Sequence, residues 1–155
     1  MDPILSWSQD KQTELLAFLK KMVELETPSG YGEGILGFAA LLEEDLAGVA
    51  RIKRVAAGSL GPHLLVDLST PGRKQGQILG LAHADTVHPL GTLAKLPFAI
   101  QEGRLYGPGV LDIKGGIAMF VFAMRCLREL DIPVRKKVIL QINSDEEIGS
   151  DSSRA

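Results

Sequence analysis

Cysteine is all but missing from this 155-residue sequence, and Cys126 alone cannot build an intrachain disulfide framework. An excess of charge of either sign is missing too. Seventeen basic residues stand against 19 acidic ones, a formal net charge of −2, which excludes a footprint that grips nucleic acid by charge alone. No apolar run reaches the roughly 18 residues needed to cross a bilayer, so no membrane partner is expected. The opening stretch Met1-Asp2-Pro3-Ile4-Leu5-Ser6-Trp7 has neither a basic start nor a long apolar segment. It does not read as a secretory signal, and a cytoplasmic protein is the plain expectation. Internal repeats and low-complexity tracts are also missing.

What is present is enough apolar material, 45% of residues, for one core in one domain. Leu15, Phe18, Leu19, Met22 and Val23 fall on one helical stripe. Thr27-Pro28-Ser29-Gly30 punctuates it, and Ile35, Phe38, Ala39, Leu42 and Leu46 repeat the spacing, with Gly48 as a stop. Ile52–Val55 and His63–Leu68 read as short strands. Ile78–Ala82 and Val138–Ile142 are continuous apolar runs, the pattern of strands buried on both faces. A hairpin is expected around Gly103, and Ile117, Phe120, Val121, Met124 and Leu127 return to helical spacing. The fold class is therefore α/β, with helices packed on a mixed, mainly parallel sheet. Cys126, inside the last helix, reads as a small apolar residue.

Three polar clusters sit where strands end or a helix begins, the usual ligand side of an α/β sheet. The first is His83-Ala84-Asp85-Thr86-Val87-His88-Pro89. On an extended backbone His83 and Asp85 share a face, so one can ligate a metal while the other orients it. The second is Gly107-Pro108-Gly109-Val110-Leu111-Asp112-Ile113-Lys114-Gly115-Gly116, where Asp112 is either a ligand or an ordinary helix N-cap. This segment fits neither phosphate-loop spacing, which argues against a nucleotide-binding domain. The third is Asn143-Ser144-Asp145-Glu146-Glu147-Ile148-Gly149-Ser150. Three acids together at a buried strand end repel one another unless cations offset them. Two neighbouring glutamates can also divide labour, one on a metal and one taking a proton from water.

In order and spacing these clusters resemble the three successive motifs of the M20 family of metallopeptidases. Leu93-Ala94-Lys95-Leu96-Pro97-Phe98 with Arg104-Leu105-Tyr106-Gly107-Pro108-Gly109 resembles the glutamate carboxypeptidase branch of that family most. The resemblance implies a zinc-exopeptidase-like domain with two zinc ions, for which cobalt or manganese could substitute. It implies His83 on one ion, Asp112 shared by both and Glu147 on the other. Asp85 would orient His83, and Glu146 would be the general base. It further implies a cis peptide bond between Asp112 and Ile113. His63, His88 and Lys114 receive no role, and both histidines read as ordinary loop residues.

The implied reaction is hydrolysis of an amide bond in a small peptide or N-acyl amino acid, releasing a C-terminal glutamate or similar residue. A deacylase like acetylornithine deacetylase or succinyl-diaminopimelate desuccinylase is the alternative within the family. A non-catalytic metal-binding or interaction fragment is the alternative outside catalysis. By the resemblance, residues 1–155 are the N-terminal portion of the catalytic domain. The remaining ligands, the rest of that domain and a dimerisation (lid) domain are expected elsewhere, in a homodimeric parent enzyme. The chain alone is expected to be inactive and prone to aggregate.

Overall fold

A computed structural model describes residues 2–154. Helix α1 (Pro3–Asp10) was not foreseen from the apolar spacing, yet its start is written in the sequence. Asp2 Oδ1 accepts hydrogen bonds from the amides of Ile4 and Leu5, at 2.7 and 3.3 Å, and proline occupies the first helical position. Helix α2 (Gln12–Val23) buries Phe18, Leu19, Met22 and Val23. Helix α3 (Gly32–Asp45) buries Ile35, Phe38, Ala39 and Leu42. The spacing Gly32-Glu33-Gly34-Ile35-Leu36-Gly37 at its start imitates a dinucleotide fingerprint. It follows a helix and a turn rather than a strand, so it lacks the strand that such a site requires.

Strands β1 (Arg51–Val55), β2 (His63–Asp67), β3 (Gln77–His83) and β6 (Lys137–Asn143) form one sheet in the order β1-β2-β6-β3. Strands β4 (Ala99–Gln101) and β5 (Arg104–Tyr106) make the expected hairpin. The sheet is mixed, but less parallel than the apolar runs suggest. β3 and β6 are parallel, while β1–β2 and β2–β6 are antiparallel. A parallel pair needs a long crossover, and helix α4 (Gly115–Glu129) supplies it between β3 and β6.

The core lies on one face of the sheet. Leu64 and Val66 of β2, Val138, Leu140 and Ile142 of β6 and Ala82 of β3 meet the buried stripes of α2, α3 and α4. Helix α4 packs close enough to β3 that a Cβ on Gly80 would lie 2.9 Å from the Phe120 ring. The expectation that both apolar strands are buried on both faces holds for β6, whose Val138, Ile139, Leu140 and Ile142 are all buried. It fails for β3, where Ile78, Leu79 and Leu81 are 46%, 50% and 66% exposed. β3 is the edge strand, with a neighbour on one side only among the described residues. Among these residues no helix is long and apolar enough to cross a membrane.

Candidate metal centre

β3 and β6 run side by side with His83 opposite Asn143, so their carboxyl ends open on one edge of the sheet. Three segments meet there: the end of β3, the turn after β6 and the irregular turn Val110–Lys114 that leads into α4. Gly109 makes this last turn possible. Its φ of +69° is left-handed, and a Cβ there would lie 2.8 Å from the Thr86 methyl group. Asp112 does not cap α4, which starts at Gly115 without a side-chain cap. The Asp112–Ile113 peptide bond is cis.

The His83 ring is buried, and its Nδ1 lies 2.9 Å from the backbone carbonyl oxygen of Asp85. A carbonyl only accepts, so Nδ1 carries a proton and Nε2 is the atom turned to the site. Nε2 lies 3.0 Å from Asp112 Oδ1 and 3.8 Å from Glu146 Oε2. One ligand atom each from His83, Asp112 and Glu147 lie within 4.8 Å of one another. The sequence-derived trio thus converges, with Glu146 at its side.

Asp85 meets His83 through two groups. Its backbone oxygen accepts the hydrogen bond from Nδ1–H, and its carboxylate lies 3.5 Å from the same nitrogen. The buried carboxylate also accepts from the Ser29 hydroxyl at 2.7 Å and from the amides of Glu146 and Glu147 at 3.1 Å each. It ties the glutamate turn to the end of β3. Burial opposes its charge, but hydrogen bonds from His83, Ser29 and the two glutamate amides hold its pKa below the ordinary carboxylate value.

The site is short of positive charge. Burial disfavours the charged imidazole of His83, yet hydrogen bonds to Asp85 and Asp112 outweigh it and push its pKa up to about 9. Burial raises the Glu147 pKa, and the charges of Asp112, Asp85 and Glu146 add to that against the pull of His83. A divalent cation among these three ligands would offset the same repulsion. Imidazole and carboxylate donors suit zinc, cobalt or manganese, so the residues present fit such an ion.

Two further parts escaped the sequence reading. The segment after α2 is more than punctuation. The Thr27 hydroxyl donates to Ala84 O at 2.6 Å, Thr86 N donates to Thr27 O at 2.9 Å, and Ser29 reaches Asp85. The only sequence signal was an uncommitted Thr-Pro-Ser-Gly run. Lys114, given no role above, is 1% exposed and donates to Leu25 O at 2.8 Å above the Phe38 ring. Burial pulls its pKa down to about 8. His88 is half-buried beside the site and outside the ligand trio, on the wall of a cavity of about 220 Å³ that Thr86, Val87, Asp112 and Glu147 also line. His63 is a correction: it is a buried residue of β2, not a loop histidine.

Comparison with known proteins points to one family. Residues 80–155 match the profile of peptidase family M20/M25/M40. The chain is 34% identical over 148 residues to carboxypeptidase G2 of Pseudomonas sp. (strain RS-16), an alignment covering 94% of this chain and 35% of that protein. It is 40% identical over 79 residues to succinyl-diaminopimelate desuccinylase of Gluconacetobacter diazotrophicus, covering 49% of this chain and 20% of that one. The crystal structure of human carnosine dipeptidase 1 superposes with a TM-score of 0.83 at 21% identity, over 98% of this chain and 36% of that one. The fold is that of metallopeptidase domains, and the strand-end cluster is a group that could hold a metal ion. The chain belongs to peptidase family M20, and it spans about a third of the length of carboxypeptidase G2 and of carnosine dipeptidase 1.

Proposed function

We propose that this chain carries part of the active site of a metal-dependent hydrolase that cleaves an amide bond. The substrate would be a small peptide or N-acyl amino acid, from which a C-terminal glutamate or similar residue is released. The observation that carries the reading is the convergence of His83, Asp112 and Glu147 within 4.8 Å at the ends of two parallel strands. The likeness to carboxypeptidase G2 along nearly the whole chain favours a carboxypeptidase over a deacylase. The shorter likeness to a desuccinylase keeps the deacylase as the second reading.

His83, Asp112 and Glu147 would hold the metal, with Asp112 shared if two zinc ions bind. A metal at this position supplies Lewis-acid polarisation of the amide and activates water near neutral pH. Glu146, half-exposed and 3.8 Å from His83 Nε2, would accept the proton of the attacking water and deliver it to the leaving amine. Asp85 would keep both glutamates in place through their amides. Two ions would share three ligands here, fewer than the three protein ligands usual at each catalytic zinc. The remaining ligands, the rest of the catalytic domain and a dimerisation domain would come from protein outside these residues.

The test has two parts. Zinc is counted per chain after dialysis against a weak chelator, where retained metal that disappears in His83→Ala supports the site. Glu146→Gln, introduced into a protein of the relatives' full length, should keep its metal and lose hydrolysis of a dipeptide ending in glutamate. Near-normal turnover in that variant removes Glu146 from the base role.

A further inference from the structure

His63 starts β2, away from the ligand trio, and is 5% exposed. Its Nδ1 lies 3.1 Å from the backbone amide of Ser144, which can only donate, so Nδ1 is the unprotonated nitrogen. The proton therefore sits on Nε2, 3.0 Å from Ser152 Oγ. Ser152 accepts it and turns its own hydroxyl proton to Asp145 Oδ2 at 2.8 Å, where its backbone amide also donates at 2.8 Å. The Ser144 hydroxyl closes the other side on Gly61 O at 3.1 Å. Every proton in this chain of bonds has one direction, set by a backbone amide at one end and a carboxylate at the other.

Asp145 is 1% exposed and immediately precedes Glu146 and Glu147. Burial works against its charge, and the Ser152 bonds hold its pKa below the ordinary value. Its other oxygen, Oδ1, has no hydrogen-bond partner among the described residues. The Ser152 contacts therefore carry the hydrogen bonding of a buried carboxylate, and their loss is costly. The turn bearing both glutamates is held from the β3 side by Asp85 and from the β2 side by this relay.

We infer that His63 and Ser152 are positioning residues for the Glu146–Glu147 turn, acting through Asp145 on the metal-binding geometry of Glu147. The inference rests on the metal-site reading above for its effect on metal affinity, but not for its effect on the turn. Ser152 is exposed, so Ser152→Ala should leave the fold intact while removing the acceptor for His63 and the hydroxyl donor to Asp145, the backbone amide bond to Asp145 remaining. His63→Gln keeps a donor where Nε2 stands, whereas His63→Asn keeps only an acceptor where Nδ1 stands.

The experiment titrates a protein of the relatives' full length that carries this sequence, and these variants of it, with Co²⁺, following its visible spectrum in competition with a chelator. It also measures amide exchange at Ser144, Glu146, Glu147 and Ser152, and the ¹⁵N shifts of His63. Wild type should show the Nε2–H tautomer. Ser152→Ala, His63→Ala and His63→Asn should each weaken Co²⁺ roughly tenfold, the usual cost of losing a group that orients a metal ligand, and expose both glutamate amides to exchange. His63→Gln should restore affinity and protection to near wild type. Unchanged affinity and exchange in Ser152→Ala, or an Nδ1–H tautomer in wild type, overturns the relay. Wild type that takes up no Co²⁺ overturns the metal reading instead. The exchange data then decide the relay alone: faster Glu146 and Glu147 amides in Ser152→Ala uphold it, and unchanged ones overturn it.

Discussion

β3 and β6 are neighbours, parallel, of equal length and almost equally apolar, yet their surroundings differ sharply. β6 sits between β2 and β3 and buries four of its aliphatic side chains. β3 has one strand neighbour among the described residues and exposes three. An apolar run says that a strand is suited to cover, and its place in the sheet order says whether cover is present. Both strands end at the candidate metal centre, so a buried strand and an edge strand jointly position its residues.

The strongest way to break the comparison is to shorten one leucine on each strand. Leu140→Ala, at a 2% exposed position of β6, should cost about 2–5 kcal/mol of unfolding free energy in urea. Leu81→Ala, at a 66% exposed position of β3, should stay within about 0.5 kcal/mol. Equal losses would mean that β3 is covered in solution. Gly80→Ala should destabilise by about 1–3 kcal/mol, because the new methyl meets the Phe120 ring on the one face of β3 that is covered. At the strand ends, His83→Ala should weaken metal binding at least tenfold, about 1.4 kcal/mol, while Asn143→Ala, opposite it in register, leaves affinity unchanged.

The smallest effect concerns how the segment after β3 is tethered. The Glu26 carboxylate accepts from the amides of Gly91 and Leu93 at 2.8 and 2.9 Å, and these bonds lower its pKa. A carboxyl depressed in the folded state stabilises above its unfolded pKa and loses that contribution as pH falls through the folded value. Exchange protection at Gly91 and Leu93 should therefore be full at neutral pH and fall in acid below the ordinary glutamate range. Glu26→Gln should flatten that dependence.

Much of this was legible in the sequence because it is local. The stripes of α2, α3 and α4 follow from spacing alone, and the three polar clusters stand out against the apolar strands that precede them. α1 was equally local, but its signal was a cap and a proline rather than a stripe. The antiparallel share of the sheet was not legible, since periodicity is the same for either sense of pairing. Nor were the supports of the site. Ser29 meets Asp85 across 56 residues and His63 meets Ser144 across 81. Each looks like an ordinary turn or strand residue until the fold brings its partner near, and the partner of Lys114, the Leu25 carbonyl, lies 89 residues away.

The carboxylate of Asp85 joins segments that begin far apart, with Ser29 on one side and the glutamate turn more than 60 residues away on the other. Such contacts close large loops and form only once the chain between them is arranged. The strand ends must meet before Glu147 comes within reach of His83, so the three candidate ligands come together only in the assembled sheet. An ion that needs all three ligands then binds the finished arrangement and not its precursors, and its uptake counts the molecules that have completed assembly.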